Sequence, residues 1–526
     1  MNPTKPSCAH HSPIFTGLTV SLCLFVVMGV HSCEARAVIA DATPSNAWHS
    51  CGTNLECAQV PVPLDWDRPG DAKISLAVVR HLASKPNQKI GSLFVNFGGP
   101  GVASVPFVKA SGEELDKLGG GRFDVVGWDP RGTGESTHIV CFGSDAKMLQ
   151  FWGDDWTVPT SNLSSWLYVP KTVEYMERCT FMTGSLMAHL STMDSARDLD
   201  YLRQLVGDRK LTYRGLSYGT FLGQTYINMF PHNVRAAILD ANIDPVPFTA
   251  SVEAGLTNNG GDGDLVLTQF LSLCEQAGPI NCKFTGDVTL RLRDLMARLE
   301  KGPIPAPRAP APHQLRYGDF ILVLWTTLRG PASWPQLADD LNQAANGDGS
   351  NLAISFSEQR PVILNALVSA TTLQCTDKPL PLPGAVLNWQ NAVQQITKTN
   401  FLGLTDVWWL WAPCASRFVP SAERYRGPWN ATTDNPILVI GNRYDPRTKY
   451  GNAVVAAQRL GNASLLTLDG YGHTSDVDPS DCIDEAVTSY LITTVPPPNG
   501  TVCKPNHKPF DPDFGQPLSI GPQLFE

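Results

Sequence analysis

Apolar and polar residues along Ile74 to His81 have the character of a strand, whereas Ser92-Leu93-Phe94-Val95-Asn96-Phe97 and Phe123-Asp124-Val125-Val126-Gly127-Trp128 are short, nearly continuous apolar runs. Such runs predict strands buried on both faces, and each ends in a glycine-rich turn, as central parallel strands do. From Thr192 to Val206 the spacing becomes helical, with Leu199, Leu202 and Leu205 recurring on one side. Lys210 to Leu216 then reads as a strand, Phe221 to Phe230 as a helix, and Ala236-Ala237-Ile238-Leu239-Asp240 as the next strand. Strands alternating with helices predict an α/β fold built on a doubly wound, mostly parallel sheet.

The alternation stops after Pro245. Residues 246–428 read as a large, mostly helical insertion, a cap folded over the active edge of the sheet. Gly302 to Pro312 carries five prolines in eleven residues and predicts an irregular, exposed connector. Trp408, Trp409 and Trp411 form an aromatic cluster near the end of the insertion. Sheet character resumes at Pro436-Ile437-Leu438-Val439-Ile440-Gly441, followed by a helix over Asn452 to Leu460 and a strand over Ser464 to Leu468. The expected organisation is a leader (1–36), a first core part (37–245), the cap (246–428), a second core part (429–495) and a polar, proline-rich tail (496–526) held only by Cys503. No internal repeat is evident.

The chain of 526 residues is 43% apolar and 17% charged, enough to build a sizeable core. A formal net charge of -9, with no basic stripe, argues against nucleic acid as a partner. Lys5, His10 and His11 precede an apolar run from Ile14 to Val30, and small residues follow around Cys33-Glu34-Ala35-Arg36-Ala37. This pattern predicts a cleaved signal peptide, the alternative being a short membrane anchor. After cleavage no stable membrane association is expected. Of thirteen cysteines, Cys8, Cys23 and Cys33 lie in the leader, and the remaining ten suggest five disulfides in an oxidising compartment. Sequence proximity suggests Cys51–Cys57, Cys274–Cys282 and Cys482–Cys503, with Cys141–Cys179 and Cys375–Cys414 completing the set. Sequons at Asn162, Asn430, Asn462 and Asn499 fit a glycosylated, secreted, extracellular protein.

The candidate chemistry starts at Gly215-Leu216-Ser217-Tyr218-Gly219, placed between a strand and a helix. A sharp turn there lifts a serine hydroxyl clear of the sheet, and the two glycines let the turn pack against neighbouring backbone. A serine needs a base, itself oriented by a carboxylate. Asp445 follows the strand ending at Gly441, and His473 lies in Gly470-Tyr471-Gly472-His473-Thr474 after the last strand. The order Ser, Asp, His with both partners at strand ends is that of α/β-hydrolases. Two backbone donors for an oxyanion are expected from Gly99, in Phe97-Gly98-Gly99-Pro100-Gly101, and from Tyr218. Arg131-Gly132-Thr133-Gly134-Glu135-Ser136 lacks the lysine and spacing of a phosphate-binding loop and reads as a structural turn at the sheet edge. No His-Glu-x-x-His or Cys-x-x-Cys motif occurs, so neither a metal nor another cofactor is expected.

Several segments together resemble secreted tripeptidyl-aminopeptidase-like α/β-hydrolases. They are Trp48 through Cys51, Cys57-Ala58, Val62-Pro63-Leu64-Asp65, Asn96 through Gly101, Asp129 through Gly134, Gly215 through Thr220, Gly472-His473, Cys482 and Cys503. The resemblance spans nearly the whole mature chain. With their proline-iminopeptidase relatives, such proteins are serine exopeptidases whose helical cap limits access to chain ends. Two segments depart from the pattern. Asp445-Pro446-Arg447-Thr448-Lys449 is more basic than the Asp-Pro-x-Thr-Pro of relatives, and Cys414-Ala415-Ser416-Arg417 has arginine where relatives often carry tryptophan.

The expected function is a secreted serine exo-aminopeptidase acting on small peptides through a Ser217-His473-Asp445 triad and an acyl-enzyme. Cap acids available for a substrate α-ammonium are Glu253, Asp262, Asp264 and Glu275. One alternative keeps the triad but acts on an ester, lactone or amide of a small metabolite. The other is a non-catalytic secreted binding protein on the same scaffold.

Overall fold

The computed structural model describes residues 48–153, 162–259, 261–381, 402, 412–416 and 419–514. The leader, Trp408, Trp409, Trp411, Arg417 and the Asn162 side chain lie outside the described residues.

Twelve strands are described: β1 (His49–Gly52), β2 (Leu55–Pro63), β3 (Lys73–His81), β4 (Gly91–Asn96), β5 (Phe123–Trp128), β6 (Leu211–Leu216), β7 (Val234–Asp240), β8 (Ile304–Pro305), β9 (Gln314–Leu315), β10 (Ile437–Tyr444), β11 (Ala463–Tyr471) and β12 (Thr501–Cys503). Ten of them form one sheet in the order β1-β2-β3-β5-β4-β6-β7-β10-β11-β12. Pairing is antiparallel from β1 through β3 to β5 and parallel from β5 onward to β12. This is the predicted doubly wound, mostly parallel sheet of an α/β-hydrolase.

Alternating side chains of the central strands feed two cores on opposite faces. Leu93 and Val95 pack with the helices Val105–Leu118 and Asp481–Thr493, while Phe94, Val126 and Tyr213 face the helices Thr192–Leu205, Tyr218–Met229 and Tyr450–Arg459. Both faces are covered, so the strands are apolar throughout rather than alternating. A third core lies largely between β7 and β10 in sequence, where Phe270, Leu295, Phe320 and Trp334 are buried among the helices Gly263–Asn281, Val288–Lys301, Tyr317–Thr327 and Trp334–Ala345. All five suggested cysteine pairs are bonded.

Three expectations are corrected. The proline-rich stretch is not a fully exposed connector: Ile304, Ala306 and Ala309 are buried between exposed neighbours, and β8 pairs with β9. Prolines spaced by small apolar residues can alternate in and out as a strand does, and prolines are tolerated at an edge that needs no N–H donor. The tail is held by more than Cys503. It adds β12 beside β11, and Phe510 is buried against Phe270 and Trp334 of the cap. The Arg131 turn leaves an interior strand rather than an edge. Its guanidinium is fully buried, donating to both oxygens of Asp198 and to the carbonyls of Pro63, Leu64 and His189. A buried arginine requires such complete pairing.

Candidate active site

Ser217 occupies the corner between β6 and the helix Tyr218–Met229, with φ 55° and ψ -121°, a strained conformation for a residue with a Cβ. Its N–H donates to the Asp240 carbonyl at the end of β7 (2.9 Å), and its carbonyl accepts from the Thr220 N–H (2.8 Å) and hydroxyl (2.7 Å). Gly215 is required sterically, since a Cβ there would stand 2.3 Å from the Gly219 carbonyl oxygen. Gly98 abuts the same turn: at φ +91°, a Cβ on it would lie 2.9 Å from the Ser217 Cβ. The loop after β4 is therefore seated directly on the serine's corner. The Gly98 N–H is engaged by the Asn96 side chain (3.1 Å), while Tyr218 is the first residue of its helix, where backbone N–H groups lack helical acceptors. The Tyr218 side chain is buried against Thr192, whose hydroxyl donates to Asp377 (2.7 Å) at the end of the cap helix Ser350–Thr376. A second cap contact, from the Ser369 hydroxyl to the Gly132 carbonyl (3.0 Å), sets the same helix on the core.

Asp445 is the first residue after β10. Its carboxylate accepts from the backbone N–H of Arg447 (2.7 Å) and Thr448 (3.0 Å) and from the Thr448 hydroxyl (2.8 Å). Nδ1 of His473 stands 3.0 Å from both Asp445 oxygens. The structure thus brings Asp445 and His473 together, although 28 residues separate them in sequence. Burial raises the Asp445 pKa, but the charge and hydrogen bond of His473 and the two backbone donors more than reverse this, holding it below the usual carboxylate value. An ionised Asp445 can only accept, so in the neutral ring Nδ1 carries the proton and Nε2 is left unprotonated. The His473 pKa is itself pushed down, chiefly by burial and further by the charges of Arg329 and Arg447, against the opposing pull of Asp445.

The histidine loop is fixed from three sides. The His473 N–H donates to the Arg329 carbonyl (2.8 Å), and the Asn442 amide donates to the carbonyls of Gly472 (3.0 Å) and Thr474 (2.6 Å). The Asp240 carboxylate accepts from the N–H (3.2 Å) and hydroxyl (2.6 Å) of Ser475. Sequence reasoning missed Asn442, Asp240 and Ser475, because single polar residues at strand ends carry no spacing signal. Of the four cap acids, Asp262 lies against the acid loop, its N–H donating to the Asp445 carbonyl (3.3 Å). Asp264 accepts from the Leu402 N–H (3.1 Å), Glu275 is exposed, and Glu253 is half-buried. Among the described residues no group of three or more His, Cys, Asp or Glu side chains is arranged to hold a metal, and no helix is long and apolar enough to cross a membrane.

Comparison with known proteins gives this geometry its context. The family model of the α/β-hydrolase fold matches residues 92–255, and that of TAP-like proteins matches residues 403–503. Serine protease Hip1 of Mycobacterium tuberculosis is 31% identical over 462 residues, covering 85% of this chain and 87% of that protein. The tripeptidyl aminopeptidase of Streptomyces coelicolor is 27% identical over 512 residues, covering 90% of each chain. Carboxylesterase B of M. tuberculosis is 29% identical over 497 residues, covering 88% of this chain and 90% of that one. The chain therefore belongs to the TAP-like, peptidase-related family of α/β-hydrolases and is a serine hydrolase.

Proposed function

We propose that this protein is a secreted exo-aminopeptidase that releases short N-terminal pieces from small peptides, with Ser217 as nucleophile, His473 as general base and acid, and Asp445 as the carboxylate that orients it. The observation that carries the reading is the Asp445–His473 pair, 3.0 Å at both oxygens, after β10 and β11 of the parallel sheet in which β6 leads into the strained corner of Ser217. In this reading His473 Nε2 takes the Ser217 proton as Oγ attacks the scissile carbonyl. The resulting oxyanion is met by the N–H groups of Tyr218 and Gly99, near the positive end of the helix Tyr218–Met229. His473 then protonates the leaving nitrogen, the C–N bond breaks, and water repeats the sequence on the acyl-enzyme.

Export, leader cleavage and glycans at Asn162, Asn430, Asn462 and Asn499 belong to the same proposal, supported by the five disulfides. Exopeptidase action is supported by the helical cap and by the relative named tripeptidyl aminopeptidase. The test compares free and N-acetylated peptides with wild type and Ser217→Ala. Turnover of free peptides only, lost in the variant, is the expected result. Ester cleavage indifferent to the N-terminus would shift the assignment to a small-molecule esterase, in keeping with the relative named carboxylesterase B.

A further inference from the structure

The turn that carries Ser217 is held from two directions. From the core, the Asp240 carbonyl takes the Ser217 N–H (2.9 Å), the Thr220 hydroxyl donates to the Ser217 carbonyl (2.7 Å), and the Tyr213 hydroxyl donates to the Gly219 carbonyl (2.7 Å). From the other direction comes Asp377, which ends the helix Ser350–Thr376 between β7 and β10 in sequence. Its two carboxylate oxygens reach the first residue of the helix Thr192–Leu205, one accepting the Thr192 N–H (2.9 Å) and the other the Thr192 hydroxyl (2.7 Å). The same Thr192 oxygen meets the Tyr218 hydroxyl. All three side chains are buried.

Burial lifts the Asp377 carboxyl to about 6, so at pH 8 it is ionised and can only accept. Thr192 has a single hydroxyl proton, which goes to Asp377, and its oxygen is then the acceptor for the Tyr218 proton. The chain runs in one direction, from Tyr218 through Thr192 to Asp377, and each bond polarises the next. Tyr218 follows the nucleophile directly, and an oxyanion donor at its N–H serves only if it is aimed before the charge develops. A side chain anchored at its far end restrains the peptide plane attached to the same Cα. From this we infer that Asp377 and Thr192 are positioning residues, which hold the Tyr218 N–H toward the oxyanion through the Tyr218 hydroxyl. The inference rests on the serine-hydrolase reading with Tyr218 as an oxyanion donor, and adds to it the residues that aim that donor.

The experiment, at pH 8 on the full-length enzyme, measures the rate of Ser217 capture by a fluorophosphonate together with kcat and KM for 4-nitrophenyl acetate. Both reactions place negative charge on an oxygen opposite the attacking Oγ, and rates are expressed per Ser217 captured at completion, so unfolded protein does not count. Tyr218→Phe and Thr192→Val should each slow capture and kcat about tenfold with KM within about threefold. Thr192→Ser keeps both donors to Asp377 and should restore the rates to within about twofold of wild type. Asp377→Asn should lose severalfold, and Tyr218→Phe with Asp377→Asn should be no slower than the slower single variant, because both break one chain. Ser369→Ala removes the bond to the Gly132 carbonyl from the same helix and should leave the rates near wild type. Tyr218→Phe keeps the ring beside Phe221, so the test stands even where Thr192→Val does not fold. Unchanged rates in Tyr218→Phe, losses that multiply in the double variant, or an equal loss in Thr192→Ser or Ser369→Ala would overturn the inference and leave Ser217 as nucleophile. No capture at Ser217 in the wild type would overturn the serine-hydrolase reading and this inference with it.

Discussion

The carboxylate of Asp240 accepts both the N–H (3.2 Å) and the hydroxyl (2.6 Å) of Ser475, two residues beyond His473. The carbonyl of the same aspartate accepts the Ser217 N–H (2.9 Å). One residue at the end of β7 therefore ties the serine's corner to the histidine's loop. Beneath it Arg214 stands 3.7 Å from Asp240 and pairs with Asp476, all three side chains being buried.

Asp240→Asn keeps the shape but offers Ser475 one acceptor oxygen instead of two. Misplacing a base by a fraction of an ångström to 1 Å costs one to two orders of magnitude, so kcat should fall about 10- to 100-fold with KM changed far less. Steady-state kinetics check this. Wild-type kcat in a folded variant would refute the positioning role.

The pH profile follows from the electrostatics of His473. In the proposed mechanism the reactive form is the neutral imidazole, and burial, aided by Arg329 and Arg447, holds the His473 pKa below its ordinary 6.5. The acid limb of kcat/KM for an uncharged substrate should therefore lie below that value. Arg447→Gln removes one opposing cation and should move the limb upward. A limb above 6.5 in the wild type would contradict the burial argument.

Stability should depend on pH in the opposite direction from most acid-sensitive proteins. Burial raises Asp240 and Asp478 to about 7, and Asp377 and Asp484 to about 6, from an ordinary 3.8. Between that ordinary value and the raised ones the native state holds protons that the unfolded chain releases, so stability falls as pH rises through the window. His473, with its lowered pKa, works the other way but is a single group. Thermal midpoints should be lower at pH 8 than at pH 5.5, and Asp240→Asn should flatten the difference.

Arg131 and Asp198 form a fully buried, two-point ion pair that also gathers the carbonyls of Pro63, Leu64 and His189. Removing either partner leaves a charge in the interior, at a cost of about 3–5 kcal/mol. Denaturant titration of Arg131→Met and Asp198→Leu should show this loss. The double variant should lose much less than the sum of the two.

The corner at Ser217 and the strand-end positions of Asp445 and His473 were legible in the sequence because each sits in a local signature. Gly215 and Gly219 mark a turn that tolerates no Cβ, and Asp445 and His473 follow apolar runs at a fixed place in the topology. The central strands were legible for a related reason, since burial on both faces leaves unbroken apolar runs. What escaped notice depends on contacts distant in sequence. Asp240 meets a serine 235 residues away, and Arg131 meets an aspartate 67 residues away. Neither pairing leaves a periodic trace. The tail was read as polar and proline-rich, and only the core formed with Phe270 and Trp334 shows where its Phe510 packs. β1 and β2 were not read as strands: their hairpin pairs only His49–Gly52 with Leu55–Cys57, and Pro61 and Pro63 lie beyond it, where β2 pairs with β3 alone.

The most direct measurement is the site of covalent capture by a serine-reactive fluorophosphonate, mapped by peptide mass spectrometry. Modification of Ser217 alone, abolished by Ser217→Ala and slowed at least about a thousandfold by His473→Ala in a folded protein, is the predicted outcome. An adduct on a different serine, or undiminished capture without His473, would contradict it.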